Sequence, residues 1–327
     1  MEGLASTFPR NWVFSASHLN SYARCPWLFF ARYLLKLEPL IQPEVQMTPT
    51  DRGRFCHAVL YRVLSSLRQR LGSLPPLAEL SEEDLTAGLA EAVAAEKQRL
   101  AAAAVHSQLW EMQVQYWHDL LRAYLLDQRD TDGAVRPRYF ELGFGLSDRL
   151  GERTDPASVR EPVTIDAGGQ EIRLRGKIDR VDELAGQDGP ALMAVDYKTG
   201  YILQPGRMLE GLDVQLALYI KALEVMFGKP VVGGAYHDLR ENCHRLFTVA
   251  DPLKTRGDAP KEYSQQLALM MDCVGRYVRG MREGRFDALP SAGCPSWCPY
   301  RSICHYSDHR ARRKGTLAGS AGEGSDG

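Results

Sequence analysis

In Val195-Asp196-Tyr197-Lys198, an apolar run ends in a carboxylate and an ammonium two positions apart. On a strand, residues two apart share a face, so Asp196 and Lys198 are presented together. Upstream, Glu171–Asp182 also alternates. Ile172, Leu174, Gly176 and Ile178 fall on one side, and Arg173, Arg175, Lys177 and Asp179 on the other. For one strand alone, such a row also fits a solvated face with cross-strand pairs. If the two strands pair, Asp179, Asp196 and Lys198 meet on one polar face. Two carboxylates beside an ammonium suit a hard divalent cation such as Mg²⁺, which takes oxygen ligands and keeps several waters. A lysine beside such an ion has its pKa driven down by like charge and becomes a candidate base.

Gln215 and Tyr219 lie four apart, one above the other on a helix face, within reach of a phosphate or of Lys198. Tyr219 reads almost equally well as a packing residue. Glu141, on the strand before the hairpin, is balanced between a site acid and an edge-strand surface acid. Asp182 has neither the parity of Asp179 nor that of the cationic row and reads as structural. Among the histidines, His57 follows Gly53 at the spacing Gly-x3-His, whereas His18, His106, His118, His237, His244, His305 and His309 read as surface or packing residues.

A second constellation is built of thiols. Cys294, Cys298 and Cys304 form a C-x3-C-x5-C run, with a remote fourth in Cys25, followed by Pro26. Zinc ribbons usually pair two close doublets, so this layout makes a poor one. Cys56 reads as a small buried apolar residue, and Cys243 and Cys273 as free thiols.

The elements that must position these groups follow from periodicity. A helix starts near Ser17, with Ser17 as N-cap, and breaks at Cys25-Pro26. Further helices are expected over Gly53–Arg70, from a capping signal at Ser81 to Leu100, and over Gln108–Asp127. Strands are expected at Tyr139–Leu146, Pro162–Asp166, Glu171–Asp182 and Ala191–Tyr197, with turns at Ala167–Gln170 and Gly186–Pro190. A helix over Asp213–Phe227, strands at Val231–His237 and near Leu246, and a helix over Glu262–Glu283 complete the pattern. The order implies a mixed sheet in an α/β fold. The division reads as a mostly helical part (1–135), a strand-rich core (136–250), a C-terminal helix with the cysteine run (251–309) and a disordered tail (310–327).

The chain has 327 residues, about two domains' worth. With 44% apolar and 25% charged residues it is too apolar for disorder. Forty basic against 41 acidic residues leave a net charge of −1, so a nucleic-acid partner would be held by a local patch. No apolar stretch approaches the roughly 18 residues that span a bilayer. MEGLASTFPRNW lacks a basic segment followed by an apolar one, so a cytoplasmic chain with reduced thiols is expected.

Gly176-Lys177-Ile178-Asp179-Arg180-Val181-Asp182, Asp196-Tyr197-Lys198-Thr199-Gly200, Gln215-x3-Tyr219 and Gly53-x3-His57 together resemble the core of PD-(D/E)XK nucleases. The resemblance is closer still to the RecB/AddB-type nuclease domain and the CRISPR-associated adaptation nucleases, and it extends from Ser15 to His305. It implies a restriction-endonuclease-like mixed sheet flanked by helices. By it, His57, Asp179 and Asp196 hold Mg²⁺ or Mn²⁺, helped by the Tyr197 carbonyl. Lys198 orients or deprotonates the attacking water, and Gln215 and Tyr219 assist. Cys25, Cys294, Cys298 and Cys304 hold a [4Fe–4S] cluster that staples the helical N-terminal part to the C-terminal end.

The implied activity is hydrolysis of DNA phosphodiesters, as an exonuclease acting on single strands or duplex ends and leaving 5′-phosphates. Arg173, Arg175, Lys177, Arg180 and the Trp110–Trp117 segment are candidate strand contacts, although Trp110, Tyr116 and Trp117 read better as a packing stripe. No G-x-x-x-x-G-K-[ST] phosphate loop is present. A free-standing nuclease, or a subunit that works with a helicase or another recombination or defence partner, is therefore expected, rather than a helicase–nuclease. A non-catalytic DNA-binding subunit is the alternative, disfavoured because Asp179, Asp196 and Lys198 are all intact. A zinc-bound regulator is a third reading.

Overall fold

The computed structural model of the protein describes residues 8–9, 11–39, 47–101, 108–130, 135–146, 153–186, 189–248, 259–288 and 298–304. The expected tail at 310–327, Cys294, His106, His305 and His309 lie outside these residues.

The chain starts with a short strand, β1 (Val13–Phe14), and helix α1 (Ala16–Arg24). The N-cap of α1 is Ser15 rather than Ser17, since the Ser15 hydroxyl accepts from the His18 N–H at 3.3 Å. Cys25 is extended, and Pro26 opens α2 (Pro26–Phe29), where its missing N–H costs nothing. Three long helices follow: α3 (Pro49–Leu71), α4 (Glu82–Ala101) and α5 (Gln108–Asp130). Ser81 caps α4 by accepting from the Asp84 N–H at 3.0 Å.

The strands are β2 (Val135–Phe144), β3 (Val163–Ala167), β4 (Gln170–Leu174), β5 (Gly176–Gly186) and β6 (Gly189–Lys198). Then come α6 (Gln215–Phe227), β7 (Val231–Asp238), β8 (Cys243–Thr248) and α7 (Ala259–Arg282). The main sheet has the order β2-β5-β6-β7-β8, parallel only between β6 and β7, and is therefore mixed. A smaller sheet has the order β1-β4-β3.

One expected strand proves to be two. Glu171–Asp182 breaks at Arg175, whose N–H donates to Phe14 O, and the chain crosses from the small sheet into the main one. Gly176 makes the crossing possible, because a Cβ there would lie 2.7 Å from the Phe144 ring. Arg173 and Arg175 therefore do not continue the face that carries Asp179.

The main sheet separates two apolar cores. On one side, α1, α6, α7 and the small sheet bury Leu19, Ile172, Leu216, Ile220 and Val274. Helix α6 is apolar nearly all round because it is covered by β6 and β7 and also by β3 and α7. On the other side, α3, α4 and α5 bury Phe55, Leu60, Leu89, Trp117 and Leu121 against Phe140 and Val195. Trp110 and Trp117 belong to this core, while Tyr116 is exposed. Each fully buried large apolar side chain contributes on the order of 1.5–3 kcal/mol.

Charged ties fix the helices to one another. Arg62 of α3 donates to the fully buried Glu96 of α4 at 2.6 Å. Arg68 of α3 reaches Asp155 at 2.7 Å, and Asp155 also accepts from the Phe140 N–H of β2. Helix α3 is thereby held across the end of the sheet.

Candidate metal and catalytic centre

Strands β5 and β6 are laddered from Gly186↔Gly189 as far as Arg180↔Val195. Beyond that pair they part, while β6 stays paired to β7 as far as Lys198↔Asp238. The Tyr197 N–H, released from the β5 ladder, donates instead to Asp179 Oδ2 at 2.9 Å. The site is built in this opening.

His57 enters it from α3. Its Nδ1 lies 3.1 Å from Asp179 Oδ1, and its Nε2 lies 3.0 Å from Tyr197 O. Gly53 lies one turn earlier, facing Thr199, and a Cβ there would make an ordinary contact with the Thr199 hydroxyl at 3.6 Å. From β2 comes Glu141, 5% exposed and paired with Lys177. Glu141 has a left-handed φ of 53°, a conformation that costs a non-glycine residue about 1–2 kcal/mol and aims its carboxylate inward. One ligand atom from each of His57, Glu141 and Asp179 lies within 4.8 Å of the others, a spacing that fits a single divalent ion. Alternation along the strand left Glu141 undecided; the splayed strands and the left-handed turn bring it in.

Asp196 and Lys198 stand beside this group. Lys198 Nζ is 2.5 Å from Asp196 Oδ2, 3.2 Å from the Gln215 side-chain carbonyl, and 4.7 Å from the centre of the Tyr236 ring. The Gln215 amide donates to Asp196 Oδ1 at 2.5 Å and to the Tyr219 hydroxyl at 3.1 Å. The Tyr219 hydroxyl in turn donates to Lys177 O at 2.9 Å. Gln215 therefore orients both Asp196 and Lys198, and Tyr219 is bonded into the site, not merely packed. The start of α6 is fixed by Asp213, which accepts from the Gln215 N–H and from Asn20 of α1. Asp196 is the one expected carboxylate ligand outside the tight group; it is engaged by Lys198 and Gln215.

The electrostatics follow from burying several charges together. Burial and the neighbouring Asp179 push Asp196 up to about 6, against the opposing pull of Lys198. Burial also raises Glu141, reinforced by Asp179. Burial would raise Asp179 too, but His57 and the Tyr197 N–H outweigh it and hold this carboxyl below the usual range. For His57, burial opposes the charge, yet Asp179, with Asp196 and Glu141, pushes its pKa up to about 9. Lys198 is raised despite burial, because Asp196 and Asp179 favour its charge. Without an ion, Lys198 is held as an ammonium; the downward shift expected beside a cation applies only with a cation bound.

Of the expected strand contacts, Arg180 does not face the site. It points through the sheet, is 3% exposed, and holds Asp182 through Nε at 2.5 Å and Nη2 at 2.8 Å. Its odd-even parity places it opposite Asp179, so it cannot reach DNA. Asp182, read as structural, is its partner.

Cys25, Cys298 and Cys304 are free and half-buried. The turn that carries the last two is seated on the segment after Cys25, where the Tyr300 hydroxyl donates to Leu37 O at 2.7 Å. Cys243 is a half-buried free thiol and Cys273 a buried one.

The central strands of the mixed sheet splay around a carboxylate–histidine group that could hold a metal ion, with an ammonium at the rim. Residues 13–305 match the PD-(D/E)XK nuclease superfamily, and the chain belongs to it. It is similar to bacterial proteins named as subunits of an ATP-dependent helicase/deoxyribonuclease. Identity is 30% over 213 residues with the one from Desulfitobacterium hafniense, covering 64% of this chain and 16% of the relative. It is 29% over 257 residues with the one from Lacticaseibacillus paracasei, covering 75% and 20%. It is 27% over 266 residues with the one from Moorella thermoacetica, covering 80% and 22%. The chain thus spans about a fifth of the length of these curated relatives. Among the described residues, no helix is long and apolar enough to cross a membrane.

Proposed function

We propose that this chain is a Mg²⁺- or Mn²⁺-dependent deoxyribonuclease that hydrolyses DNA phosphodiesters in repair, recombination or defence. The observation that carries the reading is the convergence of His57, Glu141 and Asp179 within 4.8 Å beside the Lys198–Asp196–Gln215 chain. His57, Asp179 and Asp196, with Glu141 and the Tyr197 carbonyl, would hold the ion, whose contribution is Lewis-acid polarisation and a more acidic bound water. Lys198 orients the attacking water and sets its charge against the negative charge on the non-bridging phosphoryl oxygens. Gln215 and Tyr219 keep Lys198 and Asp196 at their posts. Water forms the new bond to phosphorus, the P–O3′ bond breaks, and O3′ takes up a proton, leaving a 3′-hydroxyl and a 5′-phosphate.

Cys25, Cys294, Cys298 and Cys304 form the donor set for a [4Fe–4S] cluster. Three half-buried free thiols and the Tyr300–Leu37 bond support this part of the reading. A helicase partner is supported by the names of the relatives, in which the matching portion is one part of a helicase/deoxyribonuclease subunit. We place the protein in the cytoplasm and divide it as the sequence suggests, into residues 1–135, 136–250 and 251–309 with a tail.

The test is cleavage of end-labelled single- and double-stranded DNA with Mg²⁺ or Mn²⁺, comparing wild type with Asp196→Ala. Activity that depends on metal and vanishes in the variant supports the reading; near-normal activity in Asp196→Ala defeats it. Iron and sulfide analysis of anaerobically purified protein tests the cluster. About four iron per chain supports it, and stoichiometric zinc without sulfide overturns it.

A further inference from the structure

We infer that Tyr124, clamped by the buried Arg180–Asp182 pair, is a positioning residue for the metal centre and acts through the backbone of Tyr197. The inference rests on the nuclease reading of that centre and adds residues that touch neither metal nor substrate.

Tyr197 serves the site through its peptide groups, and its ring meets the His57 ring edge to face at 5.9 Å. Its N–H donates to Asp179 Oδ2 and its carbonyl meets His57 Nε2. The β5–β6 ladder ends at Arg180↔Val195, so no β5 backbone group restrains the Tyr197 peptide from that side. Its side chain lies on the opposite face of the sheet, under α5. There the Tyr124 hydroxyl donates to the Tyr197 hydroxyl at 3.3 Å, and the two rings meet edge to face at 5.6 Å.

Tyr124 is itself held. Arg180 Nη1 donates to its hydroxyl at 2.7 Å and to the Gln128 side-chain carbonyl at 3.2 Å. The other side of the guanidinium is taken up by the Asp182 carboxylate. Tyr124, Tyr197, Arg180 and Asp182 are all at most 3% exposed.

A buried ion pair is a poor source of stability, since apolar side chains of the same volume often serve as well or better. What it supplies here is direction. The planar guanidinium, saturated by Asp182 on one edge, fixes the Tyr124 hydroxyl on the other. That hydroxyl then sets the rotation of the Tyr197 phenol, and with it the peptide that carries one carbonyl and one N–H into the site. Partners of this outer kind, which orient ligands they do not replace, typically govern 10–100-fold in metal affinity.

The test measures Mn²⁺ binding to the full chain by electron paramagnetic resonance, independently of cleavage. Tyr124→Phe and Tyr197→Phe, which keep the rings and remove the hydroxyls, should each weaken Mn²⁺ binding about tenfold. Cleavage at saturating Mn²⁺ should return to within about threefold of wild type, as expected when the ligands are intact but loosely held. Tyr22→Phe removes a part-buried bond, to Arg285 O, from a ring that packs on Tyr277 and Phe286 and makes no bond to the site residues. It should lower thermal stability and leave Mn²⁺ affinity unchanged.

If Tyr124→Phe does not fold, Tyr197→Phe carries the test, since it leaves no buried charge without a partner. Wild-type Mn²⁺ affinity in the folded hydroxyl variants, or an equal loss in Tyr22→Phe, overturns the inference. Asp179→Asn separates the two levels. Loss of Mn²⁺ there with normal binding in Tyr124→Phe refutes the positioning role alone. Unchanged Mn²⁺ binding in Asp179→Asn refutes the metal centre and the positioning role with it.

Discussion

Proton and metal compete for His57, and the carboxylates around it set the direction of that competition. In the metal-free protein the neighbouring carboxylates push His57 up to about 9, from an ordinary value near 6.5. A metal takes a neutral imidazole, so binding at pH 7 must first expel a proton. With a pKa near 9, only about 1% of sites are then ready, which weakens apparent affinity roughly 100-fold, on the order of 3 kcal/mol. Affinity should therefore climb about tenfold from pH 7 to 8 and level off above about 9. Asp196, near 6, is already ionised in this window and adds no slope.

Stability of the metal-free fold runs the other way. The folded pKa of His57 exceeds the unfolded one, so its contribution is full below about 6.5 and fades as pH rises through about 9. Titration calorimetry with Mn²⁺ in buffers of different ionisation enthalpy reads both quantities at once. About one proton should be released per ion bound at pH 7.5. An affinity that is flat between pH 7 and 8, with no proton release, would refute the reasoning.

Other outcomes are accessible to the same protein. Lys198→Gln should keep metal binding and lose about 10²–10⁴-fold in single-turnover cleavage; retained turnover with weakened DNA binding would make Lys198 a phosphate anchor. Glu96→Gln should lower stability in urea by roughly 1–3 kcal/mol, because Arg62 and Arg99 lose a charged acceptor but can turn to water; Mn²⁺ affinity should not follow. Gly275→Ala should cost about 1–3 kcal/mol of overpacking, since a Cβ there would lie 2.4 Å from Ala167 O. An unchanged denaturation midpoint in that variant would show that α7 does not press on the β3–β4 turn.

The legible parts of the site were those written in parity and order. Asp196 and Lys198 close an apolar run at a spacing of two, and the structure presents them together. The break before Pro26 and the Ser81 cap follow from local chemistry that no tertiary contact overrides. Asp179 was legible for the same reason, but Arg173 and Arg175 were misplaced because alternation runs unbroken through Arg175 while the chain changes sheets. Only the crowding of Phe144 on Gly176 reveals that crossing, and it is a contact remote in sequence. Arg180 looked like a surface cation because a cation on a strand usually is one. Its burial depends on Tyr124 and Gln128, which arrive from a helix some fifty residues earlier. Glu141 could not be assigned from alternation, since its left-handed backbone departs from the strand geometry that alternation assumes.

Asp179 does two unrelated jobs with its two oxygens. Oδ1 faces His57, and Oδ2 satisfies the Tyr197 N–H that the parting of β5 and β6 leaves without a strand partner. An inactive reference protein made as Asp179→Ala would therefore lose more than a ligand. It would leave a buried amide unsatisfied at a cost of about 1–3 kcal/mol, and its lack of activity could not be told apart from local loosening of β6. Asp179→Asn retains an acceptor for that N–H while giving up the charge, and Asp196→Asn leaves the amide untouched. For trapping DNA on an intact but silent surface, these are the substitutions of choice.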